Sequence, residues 1–329
     1  MITNREEELL KLIVESYISN AKPVGSKALC DALNCSSATI RNEMAYLEEC
    51  GLLEKMHTSS GRVPSDKGYR YYVDNIMKPK ELTGEDMLKL QTIFKNNSLV
   101  LSDAIVKSME IVSELTNYTA IVLGEALEDS RIAKVEVVPT SSNNLTALVI
   151  TDKGHVESRN VVIEKNISLK EIKRAVDVIN KMIVGTLLNE VSHTLEFEVK
   201  PVIGKYVDQH EALYNAFYNA FSDFTPRQDV KMRGTTKLLS SPEFNDVNKI
   251  KELLDKFEDN DLIQSIKSNN DEISIYIGSE NDIDDDISII KTYYTKDGTS
   301  GTIALIGPKR MQYDRAEALL QYIKENIGG

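Results

Sequence analysis

Arg41 and Asn42 are adjacent in the segment Ser36–Leu53, SSATIRNEMAYLEECGLL, and both side chains can form paired hydrogen bonds with a base edge. Arginine matches the acceptors of guanine, and asparagine matches the donor and acceptor that adenine shows in the major groove. Serine hydroxyls and the free N–H groups of a first helical turn can hold phosphate. The chemistry is that of reading double-stranded DNA, whereas the simpler alternative is a helix cap followed by a solvated face.

The apolar spacing places these residues on one helix. Ile40, Met44 and Leu47 recur at intervals of four and three residues, so they share a buried face and leave the opposite face to short polar side chains. A serine at the start can cap the helix, and Gly51 is suited to end it. We predict a recognition helix whose N-terminal half enters the major groove. Its predicted DNA contacts are Ser36, Ser37, Ala38, Thr39, Arg41, Asn42, Ala45 and Tyr46.

The flanking segments predict a winged helix-turn-helix over residues 1–78. Two helices precede the recognition helix, and a hairpin and a further helix, capped by Ser65, follow it. The hairpin turn Thr58–Pro64 is the expected wing, with Arg62 at its tip beside the groove. The side chains predicted to lie near DNA on this side are His57, Ser59, Ser60, Arg62, Lys67 and Arg70. The order of elements favours DNA binding over the alternative that each basic residue only aids solubility.

The charge distribution confines any DNA contact to this segment. The first 80 residues carry 11 Lys and Arg against 11 Asp and Glu, so the whole net charge of −12 lies in the rest of the chain. An acidic protein with a pI near 5.0 is repelled by nucleic acid as a whole. A small local surface must therefore make the contact, and the neutral N-terminal segment is where we expect it.

Other chemistry has little support in the sequence. It contains no phosphate-binding loop, dinucleotide-binding glycine pattern, zinc-protease helix or nucleophile elbow. The four histidines lack metal-ligand spacing, and three cysteines do not make a disulfide framework. The acidic run 282–286 lacks the glycine and glutamate of a calcium loop and is expected to be a solvated turn. We predict no catalytic site, no metal and no cofactor.

The composition is that of an ordinary globular protein, with 41% hydrophobic and 27% charged residues among 329. No apolar run has the length that a bilayer span needs, and the charged start MITNREEELL does not resemble a signal peptide. We therefore expect a cytoplasmic protein without a membrane partner.

Beyond residue 84 helical patterns alternate with runs of β-branched residues, which indicates an α+β multidomain protein. The strand-like runs are 119–123, 132–138, 145–151, 156–163, 273–277, 287–294 and 302–306. A helical block separates the first four runs from the last three, and a closing helix spans about 313–326. Antiparallel strands that are interrupted by helices and then resumed suggest that one domain is inserted into another.

The segment SSATIRNEMAYLEECGLLEKMHTSSGRVPSDKGYRYYVD resembles the signature of the HrcA family of bacterial heat-inducible transcription repressors. The ATIRN run, the TSSGRVP wing and the GYRYYV helix occur in the expected order and spacing, and weaker resemblance covers the rest of the chain. This resemblance implies a GAF-like α+β host domain with an antiparallel sheet and an inserted, mainly helical dimerisation domain. It also implies a homodimer on an inverted-repeat operator upstream of chaperone operons, with chaperonin assisting folding and activity.

The expected domain limits are 1–78 for the DNA-binding domain, 84–164 and 241–329 for the two parts of the GAF-like domain, and 165–240 for the insert. The candidates for a dimer surface are Tyr214, Phe217, Tyr218 and Phe221, with an internal helix core as the alternative. The predicted function is sequence-specific repression of heat-shock chaperone operons. The alternative function is a ligand- or redox-responsive regulator that senses a small molecule through the GAF-like domain, for which the sequence identifies no contacting residue.

Overall fold

The computed structural model describes residues 2–56, 61–78, 80–95, 101–124, 130–141, 144–163, 168–203, 214–215, 218, 230–268, 270–296 and 299–328. The chain forms two compact units. The first unit combines Met1–Gly124 with Asp229–Gly329, and the second unit is Glu125–Gln228. The second unit is therefore an insertion within the first.

The N-terminal part of the first unit, residues 2–78, is called the head. Its helices are α1 (Asn4–Asn20), α2 (Cys30–Leu33, after a 3-10 turn, Ser26–Leu29), α3 (Ser37–Glu49) and α4 (Asp66–Tyr71, continued by a π-helical turn, Tyr72–Ile76). Its strands are β1 (Leu53–Lys55) and β2 (Arg62–Pro64), which pair antiparallel with Leu53 opposite Pro64. This order of elements is a winged helix-turn-helix, as the sequence predicts.

Caps and apolar stripes account for the helices of the head. Thr3 caps α1 in a reciprocal capping box with Glu6, and Ser65 caps α4. The buried core of the head includes Leu9, Leu10, Ile13, Ile40, Leu47 and Tyr69. Full burial of one aliphatic side chain of this core contributes about 1.5–3 kcal/mol to the free energy of folding. The inner face of α3 is therefore fixed by packing, and its outer face is left to solvent.

The rest of the first unit, called the body, is built on a five-stranded antiparallel sheet. Its strands are β3 (Thr119–Gly124), β7 (Val230–Arg233), β8 (Ser274–Ile277), β9 (Ile287–Lys296) and β10 (Thr299–Pro308), in the order β7-β3-β10-β9-β8. Its helices are α5 (Gly84–Phe94), α6 (Leu101–Thr116), α10 (Thr235–Leu239), α11 (Val247–Glu258), α12 (Asn260–Gln264) and α13 (Tyr313–Gly328).

The two faces of this sheet bury different cores, because successive side chains of a strand point to opposite faces. Ala120 and Val122 of β3 belong to a core that is continuous with the core of the head. Ile121 and Leu123 belong to a second core, which also contains Leu238 of α10. The head thus shares its hydrophobic core with one face of the body.

The second unit contains a separate sheet. Its elements are β4 (Ile132–Pro139), β5 (Asn144–Thr151), β6 (Val156–Val162), α7 (Leu169–Ile183), α8 (Val191–Thr194) and α9 (Lys200–Ile203). The three strands pair antiparallel in the order β4-β5-β6. The apolar stripe of α7 packs in the same buried cluster as the inner residues of the strands. The Asn180 amide fixes α7 to β4, since it donates to the Val135 carbonyl and accepts from the Val135 N–H, both at 2.7 Å.

The predicted insert differs from the second unit in its limits and its content. The sequence assigns 132–138, 145–151 and 156–163 to the host domain and begins a mainly helical insert at residue 165. In the structure these strands form their own sheet, and the second unit begins at Glu125. Conversely, β7 lies within the range predicted for the insert and pairs with β3 of the body. Strand propensity identifies a strand but not its partner, and this is the reason for the difference.

Candidate nucleic-acid interface

Hydrogen bonds hold the start of α3 on two sides. Ser36 Oγ accepts a hydrogen bond from the Thr39 backbone N–H at 3.2 Å and lies 2.9 Å from Thr39 Oγ1. Ser37 Oγ lies 2.8 Å from Ser26 Oγ in the preceding 3-10 turn. Ser36 is therefore the cap of α3, whereas Ser37 ties the helix to the turn before it.

The outer face of α3 is open to solvent. Its exposed residues are Ser36, Ala38, Arg41, Asn42 and Tyr46, and its half-buried residues are Ser37, Thr39 and Ala45. In the part of the chain that the structure describes, no hydrogen bond or ion pair engages the Arg41 guanidinium or the Asn42 amide. Both groups keep the full set of donors that a base edge requires.

Side-chain contacts at the middle and near the C-terminal end of α3 link it to its surroundings. The Arg5 guanidinium of α1 pairs with Glu43, and this hydrogen bond raises the pKa of Arg5. Near the C-terminal end, a hydrogen bond with the Cys50 side chain raises the pKa of Tyr46. The exposed Tyr46 phenol can donate or accept a hydrogen bond.

Arg62 lies at the base of the wing, and its predicted position at the tip is wrong. It is the first residue of β2, where its backbone pairs with Lys55 and with Val24. Its side chain is 14% exposed, and its Nε donates to Glu48 Oε2 of α3 at 2.7 Å. Arg62 therefore joins β2 of the wing to α3. The contacts predicted for His57, Ser59 and Ser60 concern residues outside the described ranges.

Lys67 and Arg70 of α4 have different surroundings. The exposed Lys67 ammonium donates to the Cys50 carbonyl at 2.9 Å and so satisfies the C-terminal end of α3. Arg70 turns toward the body, where its guanidinium pairs with Glu280, and it also pairs with Asp74 at 3.2 Å. The hydrogen bond to Glu280 raises the pKa of Arg70. Because two carboxylates neutralise Arg70, the structure places it in a head–body contact instead of the predicted position near phosphate.

A second ion pair strengthens the same contact. Asp66 Oδ1 accepts a hydrogen bond from Lys309 Nζ at 2.9 Å, and Asp66 Oδ2 accepts one from the Ser279 N–H at 3.3 Å. The residues Asp66, Arg70, Glu280 and Lys309 are called the clasp. No local pattern predicts the clasp, because Arg70 and Glu280 are 210 positions apart and Asp66 and Lys309 are 243 positions apart.

Tyr214, a candidate for the dimer surface, lies in the core of the second unit. It is 3% exposed, and its hydroxyl donates to the Leu195 carbonyl at 3.1 Å. Its ring stacks on Tyr218 with 5.7 Å between centroids, and burial raises the pKa of Tyr214 to about 12. These contacts favour the internal core, the alternative left open by the sequence. Phe217 and Phe221 lie outside the described residues.

Among the described residues, no group of three or more His, Cys, Asp or Glu side chains could hold a metal ion. Cys30, Cys35 and Cys50 are free, half-buried thiols around the helix-turn-helix. No helix within the described ranges is long and apolar enough to cross a membrane.

Two family descriptions match the chain. The winged helix-turn-helix transcription repressor, HrcA DNA-binding domain, matches residues 1–75, which is nearly the whole head. The HrcA protein C-terminal domain matches residues 102–316, which include most of the body and the second unit. The chain belongs to the HrcA family. HrcA proteins are transcription repressors, so the prediction of a DNA-binding regulator that is not an enzyme is confirmed.

Relatives of full length support this membership. The heat-inducible transcription repressor HrcA of Bacillus pumilus (strain SAFR-032) is 36% identical over 99% of this chain and 97% of its own length. The protein of the same name from Lysinibacillus sphaericus is 38% identical over the same shares. A solved structure described as a hypothetical protein at 2.2 Å resolution has a TM-score of 0.66 and 24% identity, covers 99% of this HrcA chain and 98% of its own, and shares its fold.

Proposed function

We propose that this HrcA-family protein is a heat-inducible repressor that reads its operator with the outer face of α3. The observation that carries the proposal is the Arg41–Asn42 pair, which is exposed and without an internal partner across the described ranges. Base contacts are assigned to Arg41 and Asn42, and phosphate contacts to Ser36, Thr39 and Lys67. Both curated relatives are named heat-inducible transcription repressors.

The proposed operator is an inverted repeat bound by a homodimer. One winged head offers few base contacts, so a single head discriminates poorly, whereas two linked heads bind their half-sites at high effective concentration. The second unit is the proposed dimerisation module, since it exposes large apolar side chains that suit an interface. Among them Val162 is 72% exposed and Phe197 is 61% exposed.

The remaining assignments rest on the family. The antiparallel sheet of the body, with helices packed in the cores of both faces, supports a GAF-like host domain. The proposed regulon is the chaperone operons, the proposed modulator is chaperonin, and the proposed compartment is the cytoplasm. Under this scheme heat unfolds other proteins, and these occupy the chaperonin. Less active repressor then remains, so the chaperone genes are transcribed.

Substitution of the base-reading pair tests the assignment of α3. Footprinting on the DNA upstream of the chaperone operons first defines the operator, and fluorescence anisotropy then measures its affinity. We expect Arg41→Ala and Asn42→Ala each to lower the free energy of specific binding by about 1–3 kcal/mol and to relax base preference, because each removes a paired contact. The control is Lys251→Ala, which removes an exposed cation of α11 in the body. Wild-type affinity in both α3 variants would remove the assignment.

Light scattering after gel filtration tests the dimer. We expect a molar mass twice that of the 36.9 kDa chain at micromolar concentration. Phe197→Ser should shift the equilibrium toward monomer and weaken operator binding without changing the base preference, because the linked second head is lost. A monomer both on and off DNA would contradict the two-headed arrangement.

A further inference from the structure

A cavity of about 610 Å³ lies at the junction of head and body within the first unit. The end of α1 forms one wall with Ile18 and Ser19, and the turn between α6 and β3 forms another with Asn117. α10 and the start of α13 complete it. This volume lies within the range of about 300–1,000 Å³ that small-molecule sites occupy.

The charge of this cavity opposes that of the protein. Lys237, Arg310 and Arg315 line it, and no carboxylate is among its described lining residues, although the chain has a net charge of −12. Glu243 and Asp86, whose carboxylates pair with Arg310 and Arg315, are not among the residues that line the cavity. A concentration of positive charge in a concave site favours an anionic ligand.

Arg315 and Lys237 retain free donors. The Arg315 Nη2 pairs with the buried Asp86 at 3.2 Å, while its Nε and Nη1 have no partner among the described residues. Among the described residues, the Lys237 ammonium makes one hydrogen bond, to the Ser113 carbonyl at 3.3 Å. Asp86 thus orients a guanidinium whose remaining donors stay available, which is the arrangement that suits a phosphate or a carboxylate.

Neutral groups extend the site. The Ser241 hydroxyl and the Asn117 amide also line the cavity, and neither side chain has a hydrogen-bond partner within the described ranges. Leu115 and Pro308 supply apolar surface beside them. We propose that this cavity binds a phosphorylated small molecule, with the phosphate held by Arg315 and Lys237 and the organic part against the apolar wall.

The third cation connects the cavity to the head. Arg310 pairs with Glu243, and its Nη1 donates to the Ile18 carbonyl of α1 at 3.3 Å. At the other end of α1, Arg5 pairs with Glu43 of the recognition helix. Ile18 follows Arg5 by 13 positions, which correspond to about 20 Å of helix, so the cavity is remote from the proposed DNA-reading face. A ligand here is an effector of the head, and this regulatory role rests on the proposed repressor function.

Calorimetric titration of the full-length protein with inorganic pyrophosphate, at fixed ionic strength in chloride, tests the site. We expect saturation at one pyrophosphate per chain. Lys237→Gln should weaken this binding about tenfold or more, because it removes one charged donor. Arg315→Lys keeps the ion pair with Asp86 and loses the planar fork, so it should weaken binding as well. Lys251→Gln, which removes an exposed cation outside the cavity, should leave the affinity unchanged.

The outcomes separate the site from the repressor function. Absence of saturable binding, or equal affinity in Lys237→Gln, Arg315→Lys and the wild type, would overturn the site. Equal displacement by sulfate and chloride would also overturn it, since the binding would then be unspecific screening. Pyrophosphate binding in a protein that binds no operator would leave the site intact and remove only its regulatory role.

Discussion

At the scale of the residue, close packing of two backbone segments explains why position 68, inside α4, is a glycine. A Cβ at this position would lie 2.0 Å from the Leu52 carbonyl oxygen, so the backbone of α4 contacts the chain between α3 and β1 directly. The Ser65 hydroxyl holds the same contact, since it accepts from the Gly68 N–H at 3.0 Å and donates to the Gly51 carbonyl at 2.6 Å. The GYRYYV motif therefore includes a packing requirement as well as apolar periodicity.

Gly68→Ala should lower the free energy of unfolding by about 2 kcal/mol or more, because rigid backbone must move to admit the methyl group. The matched control is Gly84→Ala at the first position of α5, where a Cβ meets nothing within 4 Å. That substitution should be neutral or stabilise by up to about 1 kcal/mol through the unfolded state. Urea unfolding followed by circular dichroism measures both, and a Gly68→Ala midpoint equal to that of Gly84→Ala would contradict the steric argument.

Local periodicity predicts the exposure of a side chain when the surroundings of that side chain are set by its own helix. The exposure of Arg41 and Asn42 follows from the buried positions on either side of them, and the structure agrees. The same reasoning fails for Arg70, because the Glu280 carboxylate that pairs with it comes from a distant segment. It also fails for Arg62, whose partner Glu48 lies on another element. A basic residue near a DNA-binding helix can therefore have a structural role. Whether it can contact DNA depends on whether a carboxylate of the protein already pairs with it.

At the scale of the element, the wing and the recognition helix are joined by the Arg62–Glu48 pair. Glu48→Gln removes a negative charge close to the proposed DNA-reading face, so simple electrostatics predicts tighter binding. Because the pair holds the base of the wing, we expect the opposite: operator affinity should fall about threefold, the order of one partly exposed ion pair. The control is Glu49→Gln, which removes the same charge from an exposed neighbour.

Fluorescence anisotropy at one salt concentration compares the two variants. Unchanged or slightly tighter binding is expected for Glu49→Gln, since only long-range repulsion is removed. An equal gain in affinity for Glu48→Gln and Glu49→Gln would show that the ion pair does not position the wing.

Strands of the body illustrate what sequence patterns leave open at this scale. The alternation and β-branched content locate the ends of β3 and β9 within two residues and those of β10 within three, because half-buried strands carry that pattern themselves. The pairing of β3 with β10 and β7 depends on which surfaces meet after the chain has folded over long distances. The four-residue β7, VKMR, has too little alternation to be identified alone.

At the scale of the whole molecule, the insertion delays completion of the sheet. Ile121 of β3 pairs with Ala304 of β10, so the central ladder forms only after the second unit and most of the body have been made. Contacts at such sequence separation form slowly, and apolar strands stay exposed meanwhile. This topology supports the proposed dependence on chaperonin.

Refolding measures that dependence. Denatured protein is diluted with and without chaperonin and ATP, and operator-binding activity is then titrated. We expect a larger active fraction with chaperonin, and a larger difference at raised temperature, because aggregation competes with slow closure. Equal active fractions at both temperatures would exclude the feedback and favour direct thermal unfolding of the repressor.

The junction between the two units has a consequence for how this architecture can change. Leu123 of β3 stands directly opposite Val230 of β7, so the chain leaves and re-enters the sheet at neighbouring positions of one antiparallel ladder. To its host, the second unit is a single loop of a β-hairpin. The entropy of closing a loop grows only slowly with its length. The second unit can therefore be lengthened, shortened or exchanged as a whole during evolution, while the register of β3 and β7 stays the same.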